Sequence, residues 1–485
     1  MAAVPVSGES SGSTGEEHTS RPGVALVVIM CVQLMNVLDV TVVNVALPTV
    51  YRRMGFSLDS IEWLIAAYAV TAGGMLIVGG RAGDLYGRRR VFMAGIAVFA
   101  VASLLAGCAE SPLWLILARG AQGVGAALSS PTALSLLAAN FPQGPTRDRA
   151  VGIWAGVSAA GGAVGLLIGG LLTTYGSWRW IFFVNVPLSA FALILAPRVL
   201  HESRAATAKM DLPGAVTLTA GMIAAVYGLL NAPAQGWASP GTYGPILGAL
   251  ALVGTFAVIQ RSHPYPLIPR GLLADRDRLS AYMFMLVLAT SIFSVSYFVT
   301  LYLQDVRHYS PIRTGVAFLP MALGVLVAAF ATSQVLDRTG VRPPLLTGPI
   351  TAIVGLAWLS RMNPATSYLQ LVGPLSLFAI GLGQCFVPLT ATVLAGLDDQ
   401  TTGIASALLS TAQQLGGAIG LAALGTLAAT TIRNSLPPAA HLATPTELAA
   451  ATTHGYSTAI AAAAGLLTIT LAVSATRFRG TATTG

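Results

Sequence analysis

The chain is a succession of apolar runs, each close to the roughly 20 residues that carry a helix across a bilayer. Hydropathy and turn residues place spans near 24–47, 61–79, 91–109, 113–138, 150–174, 179–197 and 213–231. They continue near 242–260, 279–304, 313–335, 343–360, 368–395, 403–430 and 457–475. In hydrocarbon a backbone has no water to bond, so each run must close on itself as a helix. The expected fold class is therefore an all-α polytopic membrane protein with 14 spans. An even number puts both termini on one side. The length of 485 residues would otherwise suit two or three soluble domains. A composition of 54% hydrophobic and 9% charged residues, with mean hydropathy +0.73, excludes them.

Charge sets the orientation. Of the 26 basic residues, 18 fall on the N-terminal side, 7 on the opposite side, and Arg119 lies within span 4. That bias predicts cytoplasmic termini and a multi-pass protein of a plasma membrane. The net charge of +8 does not point to nucleic acid, because the arginines sit in short loops without interleaved aromatics. Residues 1–22, rich in Ser, Gly, Thr and Glu, are expected as a disordered cytoplasmic tail. The first run has no small-residue cleavage pattern and carries Asp39, so it is expected to stay in the membrane rather than act as a signal peptide. Cys31, Cys108 and Cys385 lie inside apolar runs, so packing rather than a disulfide framework is expected.

The most cationic stretch, Gly80-Arg-Ala-Gly-Asp84-Leu-Tyr-Gly87-Arg88-Arg89-Arg90, links spans 2 and 3. By itself it serves as a topology anchor. An echo follows span 10, where Asp337, Arg338, Gly340 and Arg342 stand in Ser333-Gln-Val-Leu-Asp-Arg-Thr-Gly-Val-Arg. Asp84, Gly87 and Arg89 map onto Asp337, Gly340 and Arg342 at one constant offset. The spacing G-x-x-x-D-x-x-G-R-R resembles the loop 2–3 signature of the major facilitator superfamily. That resemblance implies two parallel six-helix repeats around a midplane site. It also implies a cytoplasmic gate built from Gly80, Asp84, Gly87, Arg88, Arg89 and the echo. The domains are then 23–200 and 279–476 as the two bundles. Residues 201–260 form a linker with two additional helices, 261–278 a cytoplasmic linker, and 477–485 a tail.

Span 1 reads Leu38-Asp39-Val-Thr41-Val-Val-Asn44-Val-Ala46-Leu47-Pro48. This is similar to the first-helix signature of the fourteen-span drug:proton antiporter branch. Gln33, Asn36, Asp39 and Asn44 share one arc of the helix, which should face the bundle interior. Burial favours the neutral form of a carboxyl group, and an acid that exchanges a proton is what coupling requires. A capped or paired acid near the outer end of the helix fits the same residues. Span 4 carries Arg119-Gly-Ala-Gln122-Gly123-Val-Gly125, which looks like the family's fourth-helix motif, whose arginine is implicated in proton transfer. A guanidinium snorkelling to an interface fits as well. Span 5 has glycines at 161, 165, 169 and 170, similar to an antiporter motif whose proline is here Leu166. Gly161, Gly165, Gly169 and Gly170 equally fit tight helix packing. The stretch Ser177–Pro187 resembles the family's helix 5–6 connection and suits an interface belt, with no chemistry expected.

Tyr68, Gln122, Trp154, Tyr297, Gln384 and Phe386 are candidate cavity residues beside Gln33, Asn36 and Asn44, with packing as the alternative. Asp59 and Glu62 have capping-box spacing at the start of span 2, and Asp305 ends span 9. No phosphate loop, H-E-x-x-H or C-x-x-C motif occurs, so neither an enzyme nor a resident metal or organic cofactor is expected. The coupling ion is expected to be the proton. The resemblance implies efflux of lipophilic or cationic small molecules by alternating access, by a monomer in a lipid bilayer. The Arg-for-Lys and Ala-rich usage fits a GC-rich bacterial genome, where such exporters often confer antibiotic resistance. A nutrient importer on the same fold and a binding-only receptor are the competing readings.

Overall fold

The computed structural model describes residues 22–56, 61–141, 145–202, 211–263, 266–268, 270–397, 399–436 and 444–477. The two expected tails and most of the 201–211 linker lie outside these residues, as does Asp59.

The first bundle holds α1 (Pro22–Met54), α2 (Trp63–Tyr86), α3 (Arg88–Gly107), α4 (Pro112–Asn140), α5 (Pro145–Tyr175) and α6 (Asn185–Val199). Between the bundles lie α7 (Leu212–Gln235) and α8 (Pro240–Ser262). The second bundle holds α9 (Arg276–Leu301), α10 (Leu319–Thr339), α11 (Arg342–Leu359), α12 (Tyr368–Leu394), α13 (Asp399–Ser435) and α14 (Pro445–Arg477). Among the described residues there is no strand. Eleven of these helices, three of them counted with adjoining turns, are long and apolar enough to cross a membrane on length and composition. Of the other three, α4 is diluted by Arg119 and its glycines and α11 by its prolines, while α5 contributes the apolar stretch Val164–Tyr175. They pack as full members of the bundles, which makes the architecture compatible with fourteen passes.

Three passes are interrupted. A short helix, Trp180–Phe183, precedes α6, and Pro311–Ala317 precedes α10, whose Pro320 supplies no N–H to continue the ladder. A π-helical turn, Tyr302–Val306, extends α9. Helix starts follow from capping oxygens. Ser111 accepts from the backbone N–H of Trp114, Asp211 from Gly214, and Asp275 from Asp277 and Arg278. The capping box expected at span 2 pairs Glu62 with Asp59, which lies outside the described residues. The Glu62 carboxylate lies against α13, where a Cβ on Gly425 would collide with it. Cys385 is buried as expected of a packing residue, whereas Cys108 is exposed at the end of α3.

The two bundles repeat one packing plan. In the first, α1 packs on α5 and α6, α2 on α4, and α3 on α4 and α6. In the second, α9 packs on α13 and α14, α10 on α12, and α11 on α12 and α14. Each pair recurs eight helices later. Close approach has the same chemistry in both: Gly165 leaves room for Thr41, and Thr290 lies against Gly420 and donates to the Gly416 carbonyl at 2.8 Å. Gly87 (φ 103°) and Gly340 (φ 70°) end α2 and α10 in the left-handed half of backbone space, which a side chain resists. Helix α7 lies against both α2 and α13, burying Met222, Val226 and Leu230 with Ala66, Ala69, Ala418 and Ala422.

Polar links between the bundles lie at the end away from loop 2–3. Gln304 donates to the Val45 carbonyl at 2.7 Å, the Ile312 N–H to Thr174 Oγ1 at 3.1 Å, and Arg52 pairs with Asp305 at 3.9 Å. Gly170 and Gly315 allow α5 to touch the backbone around Ile312 at the same end.

Candidate functional site: a buried carboxylate–guanidinium knot

Asp39 is the eighteenth of the 33 residues of α1, which runs on through Pro48 to Met54. It therefore sits mid-helix rather than near an end. Arg119 lies on the adjoining face of α4, and both residues are 1% exposed. Arg119 Nη1 donates to Asp39 Oδ2 at 2.5 Å. The arrangement rules out a snorkelling arginine and pairs the acid, the two alternatives left open by the sequence.

The glycines of the fourth-helix motif explain the geometry. A Cβ at Gly123 would collide with Thr71 Oγ1 and the Tyr68 carbonyl, so glycine there brings α4 into contact with α2. Thr71 Oγ1 seals the contact by donating to the Gly120 carbonyl at 2.8 Å. At Gly125, glycine does the same against Gly95 and Phe99 of α3. Helical spacing of three puts Gln122 beside Arg119. Gln122 Oε1 accepts from Arg119 Nη1 at 2.9 Å, while its Nε2 donates to Asp39 Oδ1 at 2.9 Å and Ser103 Oγ at 2.7 Å.

Two further groups complete the knot. The Arg119 guanidinium stands 4.6 Å from the centre of the Tyr68 ring, and its Nε donates to the Leu64 carbonyl at 3.0 Å. Asn185, the first residue of α6, donates from Nδ2 to Asp39 Oδ1 at 3.0 Å. Every named partner of the carboxylate is a donor. Arg119 also has three partners besides Asp39: a carbonyl, an amide oxygen and an aromatic face. It stays solvated if the carboxylate takes a proton. Removing one member of such a pair strands a buried charge, at a cost of about 3–5 kcal/mol.

The other candidates separate into groups. Gln122 and Tyr68 belong to the knot. Gln33, Asn36 and Asn44 are buried on α1; Asn36 reaches Ser129 Oγ at 3.5 Å, and Asn44 donates to its own helix at Val40 O. Tyr297 is buried in the apolar core, its ring against Phe298 at 5.2 Å, and so is a packing residue here. Trp154, Gln384 and Phe386 are half-buried, with Gln384 accepting from Thr347 at 3.4 Å. Three of the four motif glycines face α1: Gly161 meets Val37, Gly165 Thr41 and Gly169 Val42. Gly170 faces Ile312 of the other bundle.

The gate residues sit on their own bundles. Asp84 pairs with Arg88 at 3.1 Å. The Arg89 backbone N–H donates to Glu202 at 3.0 Å, and its side chain donates to the Pro197 and Leu200 carbonyls. Gly80 lies beside Pro131 of α4, where an added Cβ would make an ordinary contact at 3.7 Å. Arg338 and Arg342 are exposed, and the Asp337 side chain lies outside the described residues.

A repeated pair of six-helix bundles, the first holding a buried charge pair, has a match in a known family: the model of the Major Facilitator Superfamily covers residues 29–421. The chain belongs to the major facilitator superfamily. It is a secondary transporter rather than an enzyme. The transporter is 40% identical over 478 residues to the puromycin resistance protein pur8 of Streptomyces alboniger, covering 97% of this chain and 93% of that protein. It is 38% identical over 415 residues to the cephamycin export protein CmcT of Amycolatopsis lactamdurans, covering 84% and 85%. Among solved structures, a bacterial homolog of the human lysosomal transporter Spinster in an inward-facing conformation aligns at TM-score 0.64 and 17% identity, over 94% of this chain and 97% of that one. The human organic anion transporter MFSD10 aligns at 0.62 and 14% identity, over 94% and 99%. At these identities the structural likeness concerns the fold.

Proposed function

We propose that this transporter exports amphiphilic, antibiotic-sized molecules in exchange for protons by alternating access. The observation that carries the proposal is the Asp39–Arg119 pair, buried mid-helix, whose guanidinium has further partners in the Leu64 carbonyl, Gln122 Oε1 and the Tyr68 ring. A charged group in the membrane core is costly and tends to mark a transport or proton path. Relatives named for puromycin resistance and cephamycin export support the direction and the substrate class.

The basic loop 2–3 end is taken as cytoplasmic, with both termini on that side, in a bacterial plasma membrane. The bundles fastened at the opposite end then correspond to the state closed to the outside, with Asp39 ionised after releasing its proton inward. Substrate enters a midplane cavity bordered by Gln33, Asn36, Asn44, Trp154, Gln384 and Phe386. The bundles rock outward, a proton from outside neutralises Asp39, and substrate leaves. Arg119 turns to Gln122, Leu64 and Tyr68 while the acid is neutral. Loop 2–3 and its echo latch the cytoplasmic end in the outward-open state. One chain contains the whole assembly, so a monomer suffices.

Proton flux in proteoliposomes tests the proposal. With an imposed pH gradient, adding puromycin or a lipophilic cation should dissipate the gradient in the wild type and not in Asp39→Asn. Leu166, standing where the antiporter motif has proline, keeps a nutrient importer in view. Accumulation of substrate on the acidic-gradient entry side distinguishes exchange from co-entry.

A further inference from the structure

Asn185 has an unusual hydrogen-bond balance. It is fully buried, its Nδ2 serves Asp39 Oδ1, and its Oδ1 has no partner among the described residues. A buried amide oxygen without a partner is expensive, so its persistence asks for a reason. The groups facing Asp39 are Arg119 and Gln122 from α4, Tyr68 from α2 and Asn185 from α6. Once Asp39 takes a proton, its O–H needs an acceptor. Arg119 has none. Gln122 cannot turn its oxygen toward Asp39 without breaking its bonds to Arg119 Nη1 and Ser103 Oγ. Asn185 can turn. Rotation of its amide plane by half a turn brings Oδ1 to where Nδ2 now donates, and leaves one amide end unbonded before and after.

We propose that Asn185 is a positioning residue that follows the protonation state of Asp39, donating from Nδ2 to the carboxylate and accepting at Oδ1 from the neutral acid. The inference rests on the reading of Asp39 as the proton site. The proton passes from water to Asp39 Oδ1, the Nδ2–H···Oδ1 bond breaks, and an O–H···Oδ1 bond to Asn185 replaces it. Arg119 remains on Oδ2 or on its other partners throughout. Because Asn185 begins α6, directly after the break at Val184, the turning amide also links the state of the acid to a helix junction in the first bundle.

Infrared difference spectra of the full-length transporter in liposomes, taken between acidic and alkaline buffer, test this. The wild type should show a protonated-carboxyl band that Asp39→Asn lacks. With it should move an asparagine amide carbonyl band that Asn185→Leu lacks. Asn185→Asp offers acceptors only and adds a like charge, so the carboxyl band and the pH profile of transport should move to higher pH by about one unit or more. A carboxyl band accompanied by a stationary amide band, or an Asn185→Asp profile that matches the wild type, overturns the role of Asn185 and leaves Asp39 in place. Absence of the carboxyl band from the wild type overturns both readings. If Asn185→Asp does not assemble, the amide band in wild type and Asn185→Leu decides alone.

Discussion

At the scale of single residues, the transporter keeps two charges inside the membrane by letting each neutralise the other and by giving the cation spare partners. This makes the contributions of Asp39 and Arg119 interdependent. Arg119→Gln alone leaves a buried carboxylate without its counter-charge and should lower stability by about 3–5 kcal/mol, seen as a reduced Tm in detergent. Combining it with Asp39→Asn removes both charges and should restore most of that loss while leaving proton-driven transport absent. A double variant no more stable than the single one would show that the pair does not carry the stability assigned to it. Asp39 and Arg119 were both legible as candidates, from their place in motif-like stretches of otherwise apolar spans. Asn185 was not singled out. It sits in a Phe-Phe-Val-Asn-Val-Pro stretch whose aromatics suggested only an interface, and the one available signal was an amide at a helix start within a span.

Between helices, glycine determines distance. Thr41 fills the space that a side chain at Gly165 would need, so Gly165→Ala should destabilise the α1–α5 contact by about 1–3 kcal/mol. Thr41→Ala in the same chain removes the colliding hydroxyl and should recover part of the loss, measured by thermal unfolding. Gly420 against Thr290 is the matching pair in the second bundle and should behave alike. Leu166 occupies the motif position of a proline, and α5 is helical through it from Pro145 to Tyr175. Leu166→Pro should cost about 3 kcal/mol or more through the lost N–H bond and the ring clash. Unchanged stability with altered transport would instead mark that position as a tolerated bend. The sequence showed the glycine spacing but not which neighbour each glycine admits, because the residue across the contact lies on a helix distant in the chain.

For the molecule as a whole, the bundles are fastened through Gln304, Ile312 and Asp305 at one end, and α7 bridges α2 and α13 along a lateral seam. A chain carrying Thr174→Cys with Ile312→Cys, in a background free of Cys31, Cys108 and Cys385, should cross-link at the fastened end. Cross-linking should stop transport until reductant is added. Transport that continues at the wild-type rate while cross-linked would mean that this end need not open.

The order of the spans and the two-repeat plan came from the sequence alone. Hydropathy is a property of contiguous residues, and in a bilayer each helix satisfies its own backbone. The matching Gly87 and Gly340 turns are local in the same sense, since each depends on one residue's φ. Which polar side chains meet was decided only by tertiary structure. Asp39, Ser103, Arg119, Gln122 and Asn185 come from four helices, and their contacts of 2.5–3.0 Å depend on glycine-permitted approaches between helices. Such approaches are summed over whole packed faces, so no local pattern in the chain records them.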